Sequence, residues 1–141
     1  MKISKIFTVL VVLTAVFTVT LGGSGCSNPS DFPEANIVDN PMDVAKKIRH
    51  AILNNNRKAL ASCLTSSTTE DIDLMLKIFN TNNDISRALR EELKTLRFTR
   101  YDENGSFATV YATNRNGSGA KWYFKKVDSV WKLDADKTFG Q

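Results

Sequence analysis

The sequence predicts an α+β domain in which amino-terminal helices pack on a four-stranded, curved antiparallel meander. Three observations carry that expectation. Apolar residues recur at helical spacing from Pro41 to Leu93 and at every second position from Leu96 to Ala135. Asn-Gly and Asp-Ser pairs then cut the alternating stretch into strand-length pieces. Helices first and a meander afterwards is the α+β order of elements.

The helices follow from their ends and their stripes. Asn40-Pro41 opens the first: Asn is a favoured cap, Pro suits the first helical position, and Asp43 sits in the first turn. Val44, Ile48, Ala51 and Ile52 give it one apolar face, Lys46, Lys47 and Arg49 lie further along it, and Asn54-Asn55-Asn56 ends it. Arg57–Leu64 reads as a short second helix burying Leu60, Ala61 and Leu64. Ser67-Thr68-Thr69-Glu70 has the capping-box pattern ahead of a third helix with Ile72, Met75, Leu76 and Phe79 on one side. Asp84 is placed to cap a fourth helix that turns Ile85, Ala88, Leu89 and Leu93 inward. Amphipathic helices this short need something to cover.

The strands supply it. A three-residue loop Glu103-Asn104-Gly105 would pair Phe98 with Val110 and Leu96 with Ala112. A three-residue loop Arg115-Asn116-Gly117 pairs Val110 with Trp122 and Ala108 with Phe124, small against large. A two-residue turn at Asp128-Ser129 pairs Phe124 with Leu133 and Lys126 with Trp131. One face then carries Leu96, Phe98, Ala108, Val110, Ala112, Trp122, Phe124, Trp131, Leu133 and Ala135. Burying each large member stabilises by roughly 1.5–3 kcal/mol.

The amino terminus has a different character. Lys2 and Lys5 precede an uncharged apolar run, Ile6 to Leu21, and then small residues up to Cys26. Residues 1–25 read as a targeting segment, residues 26–39 as a polar tether with Pro29 and Pro33, residues 40–137 as the domain and residues 138–141 as a tail. Two of the 19 basic residues precede Cys26, leaving 17 against 15 acidic ones, a balance too even to imply nucleic acid. Cys63 reads as a small buried hydrophobe on a helix, with a Cys26–Cys63 disulfide as the rival reading.

Two resemblances add to this. Gly23-Ser24-Gly25-Cys26 resembles a bacterial lipoprotein lipobox, with Gly23 departing from the aliphatic residue usual there. The resemblance implies that Cys26 is lipidated, by palmitate among other chains, and that the protein is held on a membrane of the bacterial cell envelope, outside the cytoplasm. Ordinary cleavage between small residues and an uncleaved amino-terminal anchor are the alternatives. The helix pattern at Pro41 and Val44-Ala45-Lys46-Lys47-Ile48, the short Ala- and Leu-rich second helix and the closing Val130-Trp131-Lys132-Leu133 resemble small bacterial lipoproteins with a domain of unknown function in the nuclear transport factor 2-like, or cystatin-like, superfamily. Asn55-Asn56 stands where members often have Gly-Asp. That superfamily implies a cone-shaped sheet around the helices. It includes enzymes, binding modules and scaffolds, so it implies no one activity.

No residue set is assigned as catalytic, and neither a metal nor a cofactor is expected. Arg100, Lys126 and Trp131 are predicted at one end of the helix-covered face with Phe124 one row deeper, a cationic mouth over aromatic walls suited to a small ligand. The plainer expectation is that both cations reach to water, Lys126 lying along Trp131. Tyr101, Phe107, Tyr111 and Tyr123 are predicted on the opposite face, where they suit an envelope protein partner or a homodimer through the sheet, or simply ordinary cross-strand pairing. Asp134 and Asp136 read as pairing residues, His50 as a surface residue, and Asn80, Asn82, Asp84 and Glu91 as helix-end groups. Ile85 stands where a calcium loop needs Gly. Asn104 and Asn116 head glycosylation sequons better explained as hairpin loops. A non-catalytic binding module is the first reading; an isomerase- or dehydratase-like enzyme and a structural dimerisation module are the alternatives.

Overall fold

The computed structural model describes residues 39–65 and 67–139; the expected targeting segment, Cys26 and nearly all of the expected tether lie outside them. Helices α1 (Pro41–Leu53), α2 (Arg57–Ser62), α3 (Thr69–Asn80) and α4 (Asp84–Thr95) precede strands β1 (Arg97–Asn104), β2 (Phe107–Thr113), β3 (Gly119–Val127) and β4 (Val130–Leu133). A short helix, α5 (Ala135–Phe139), closes the domain. The strands form one antiparallel sheet in the order β1-β2-β3-β4. This is the expected α+β arrangement of helices followed by a four-stranded meander.

Capping residues start each long helix. The Asn40 side chain accepts from the Asp43 amide at 2.9 Å, with Pro41 at the start of α1 as expected. The box ahead of α3 is Thr68 with Asp71 and not Ser67 with Glu70, one residue later than expected. Asn83, not Asp84, caps α4 by accepting from the Ser86 amide at 2.7 Å. That choice rotates the helix. Ile85 is left 63% exposed and Ala88 exposed, whereas Ser86 is buried and donates to the Ile78 carbonyl at 2.6 Å. Leu60 and Leu64 are buried as expected, but Ala61 faces outward.

The sheet follows the expected register from β2 onward. Val110 pairs with Trp122, Ala108 with Phe124, Phe124 with Leu133 and Lys126 with Trp131. Gly117, at φ +79°, takes the left-handed position in the loop after β2, and Asn114 closes that loop by accepting from the Asn116 and Ser118 amides. Val110, Phe124 and Leu133 are fully buried, and Ala45, Ile48, Ala51 and Ile52 of α1 share their core.

The β1–β2 hairpin departs from expectation twice. Asn104 pairs with Phe107 across a two-residue turn, with Gly105 at φ +60° in the first central position, where a type II′ hairpin needs glycine. Thr99 is then an extra residue between Phe98↔Ala112 and Arg100↔Tyr111, a bulge that turns the rest of the strand over. Phe98 stays inward, but Arg100 faces out, while Tyr101 opposite Val110 and Glu103 opposite Ala108 face in. The expected pairing of Phe98 with Val110 does not form.

The end of the chain was expected to be strand and tail. Instead Asp134 accepts from the Lys137 amide at 3.0 Å and starts α5, so Thr138 is buried and Phe139 packs edge-on to Trp122. Cys63 is buried beside β4, as a small hydrophobe would be.

The β3–β4 turn holds two non-glycine residues left-handed, Asp128 at φ +49° and Ser129 at φ +65°. Left-handed backbone costs a residue with a Cβ about 1 kcal/mol or more. Ser129→Gly is therefore expected to raise the urea midpoint at unchanged slope, by an amount equivalent to about 0.5–1 kcal/mol.

Candidate functional site

The sequence-predicted mouth does not assemble. Phe124 is buried at 1% exposure and Trp131 at 3%, both as core residues. Lys126 lies over the Trp131 ring, 4.5 Å from its centroid, and its Nζ is 3.7 Å from Glu103. The bulge at Thr99 removed Arg100 and delivered Glu103 in its place. What remains is Lys126 lying along a covered indole, as the plainer expectation has it, but paired with Glu103 and without Arg100, which is on the other face.

The concavity that does form lies at the other end of β3. Ile52 of α1, Met75, Ile78 and Phe79 of α3, and Leu89, Glu92 and Leu93 of α4 line one side of it, with Leu96. Ala120 and Trp122 of β3 and Phe139 of α5 line the other. Each element brings its side chain there for a local reason. Leu89 and Leu93 lie one turn apart on α4, on the side that faces Ala120 and Trp122 across the cleft, and the Asp134 cap folds the chain end so that Phe139 reaches Trp122. The free volume is about 90 Å³. That is room for a few methylene groups and well short of the ~300 Å³ that drug-sized ligands need. Glu92 is the one charged residue in the lining, and the Asn114 side-chain amide donates to it at 3.2 Å.

Arg49 backs this region from α1. Its guanidinium donates to the Leu96 carbonyl at 2.6 Å, just past the carboxy terminus of α4, and lies 5.4 Å from the centroid of the Phe98 ring. Burial lowers its pKa from the ordinary arginine value. A second concavity, about 370 Å³, is bordered by Asn55, Arg57, Asp73, Lys77 and Asn80. Its Arg57–Asp73 pair, at 2.7 Å, has side chains 51% and 55% exposed, so it is a wet groove in which Leu76 is the one aliphatic lining residue.

No family model matches the chain, and no curated protein matches it. Among solved structures it is similar to a Campylobacter jejuni protein described as an NTF2-like (nuclear transport factor 2-like) transpeptidase. The identity is 14% and the TM-score 0.42, over 67% of this chain and 97% of that one. At those values the likeness brings no residue role, substrate or activity to this chain.

The face turned away from the helices differs from expectation by one exchange. Phe107, Tyr111 and Tyr123 lie on it, but Tyr101 does not, and Arg100 takes its place. Arg100 stacks 4.0 Å from the Tyr111 centroid and pairs with Asp102 at 3.1 Å. Donation from the Tyr111 hydroxyl to the Asp102 carboxylate raises the phenol pKa above its ordinary value, with Arg100 opposing. His50 is exposed, as a surface histidine.

Sequence reasoning turned Leu89 and Leu93 inward but missed the cleft because its Phe139 wall depends on a cap at Asp134 that it did not read. The spacing Ser86-Leu89-Leu93-Leu96 was the available signal for α4; for Phe139 it was Asp134, three residues ahead of Lys137. Replacing Asp102 by Asn is expected to move the Tyr111 titration to lower pH, since a neutral amide does not penalise the phenolate. Ultraviolet absorbance of the ionising tyrosines against pH, with Tyr101 and Tyr123 replaced by Phe, reads that shift.

Proposed function

We propose that this chain is a lipid-anchored protein of the bacterial envelope whose nuclear transport factor 2-like domain is a non-catalytic binding module. The cleft between α3, α4, β3 and α5 is its ligand site. The observation that carries the reading is the make-up of that cleft: ten apolar residues and one carboxylate already held by Asn114. Acid–base chemistry needs a titratable group within reach of a substrate and usually a partner for it. Glu92 has an amide in that place. The cleft instead suits the end of an apolar chain, with Glu92 and Asn114 at its polar rim. The lipobox-like Gly23-Ser24-Gly25-Cys26 supports the anchor.

Because Trp122 is buried at 7% exposure and lines the cleft, it reports occupancy. Titration with dodecanoic acid is expected to shift tryptophan emission saturably, and Leu89→Lys is expected to abolish the shift while the protein stays folded by circular dichroism. Unchanged emission in the parent protein, with nothing co-purifying by native mass spectrometry, would remove the ligand-binding reading.

The anchor is tested separately. Cys26→Ala is expected to abolish incorporation of labelled palmitate in a bacterial host and to release the protein from the membrane fraction. Continued membrane association with unaltered processing would point to an uncleaved anchor.

A further inference from the structure

We propose that the outward face of the sheet docks on an anionic lipid surface. The inference goes beyond ligand binding in the cleft, which opens on the other side of the sheet. It also does not depend on acylation of Cys26. Charge is distributed unevenly over the domain. Register places Arg97 and Arg100 of β1, Lys121 and Lys125 of β3 and Lys132 of β4 on this face, and Lys137 of α5 joins them over the Tyr123 ring at 4.7 Å. Against these six cations the face carries Asp102, already paired with Arg100. Asp134 is engaged as the cap of α5, and Asp128 and Asp136 stand at the margin. The bulge at Thr99 is what adds Arg100 to the set.

Two further features favour a lipid surface over a soluble polyanion. The first is apolar exposure at one end of the same face. Phe107 is 55% exposed and Val130 51% exposed, at the end of the sheet where β2 starts and β4 starts, beside Lys125 and Lys132. Apolar side chains flanked by lysines are the composition of interfacial membrane contacts, where the apolar groups enter the headgroup–acyl boundary and the cations meet anionic headgroups. A nucleic acid or an acidic glycan has no use for Val130. The second is that the rings already have cations over them: Arg100 and Lys121 at Tyr111 (4.0 and 5.9 Å), Lys137 at Tyr123 and Lys125 at Phe107 (6.0 Å). Bases and sugars stack on bare ring faces, and here those positions are taken.

The test uses the full chain mixed with vesicles of phosphatidylcholine alone or with about a third phosphatidylglycerol, at roughly 0.1 M salt. Brief amine acetylation, read lysine by lysine by mass spectrometry, compares Lys121, Lys125 and Lys132 with the exposed helix-side Lys58 and Lys77. The expected result is protection of the sheet lysines by roughly threefold or more in anionic vesicles only, with the helix-side lysines unchanged and protection lost near 1 M salt. Each lysine at an anionic surface is worth about fivefold in partitioning, so Lys125→Glu with Lys132→Glu is expected to remove the protection of Lys121. Equal labelling in both vesicle types overturns the proposal. So does protection by a single-stranded oligonucleotide without protection by vesicles. Pelleting with phosphatidylcholine alone reads the anchor, so a failed anchor and a failed docking face give different results.

Discussion

The domain depends on two cross-strand pairs, Ala108 with Phe124 and Val110 with Trp122. Each sets a small side chain on β2 beside a large one on β3, so the inner face has a low strip next to a high one. Helix α1 lies against that relief. It contacts β1, β2 and β4 as well as α2, α3 and α4, and its own inward residues, Ala45, Ile48, Ala51 and Ile52, are almost wholly buried. A slip of β3 by one residue against β2 would turn Trp122 and Phe124 to solvent and strip the large side chains from the core that α1 shares. No comparable penalty fixes β1, whose residues are mostly exposed. That is why β1 has room for a bulge.

The two edges of the sheet are handled differently. Beyond β4, residues Cys63–Thr65 pair with Leu133: the Leu133 amide donates to the Cys63 carbonyl at 2.7 Å and the Thr65 amide to the Leu133 carbonyl at 3.0 Å. Where β4 runs out, α5 takes over, its Thr138 hydroxyl accepting from the Tyr123 amide at 3.0 Å. That edge has lost its capacity to recruit another strand. At β1 the protection is chemical, through Arg97, Arg100, Asp102 and Glu103 and the twist of the bulge. The covered edge also explains α5 itself. A strand only four residues long leaves β3 amides to satisfy, and a helical turn with a hydroxyl at the right place does so.

How far the sequence could be read follows the same division. Where a slip is costly the reading held: the β2–β3 and β3–β4 registers, the turn at Asp128-Ser129, the cap at Asn40 and the stripes of α1 and α3 all stand as expected. Where nothing buried depends on the choice, it drifted. Glu103-Asn104-Gly105 and Gly105-Ser106 are both reasonable bends, and no core residue distinguishes them. Thr99 has no local mark of a bulge. The α4 reading failed for a related reason: Asn83 and Asp84 are both good caps, and the choice between them decides whether Ile85 or Ser86 faces in. The cleft went unread for a third reason: Asp134 was not taken as a cap, and its Phe139 wall depends on that turn.

The bulge at Thr99 ties the two faces to one another. A regular β1 would keep Arg100 on the inner side with Phe98, and a cation there would need either water or a carboxylate close to the core. Turning the strand over removes that cation from the inner face and leaves Tyr101 and Glu103 there, the latter balancing Lys126 at the sheet end. The same half-turn adds a cation to the outer face and stacks it on Tyr111. One unpaired residue in an exposed edge strand thus exchanges a cation for a carboxylate beside Lys126 on the inner face and makes the outer face more basic, the property on which a cationic docking surface relies.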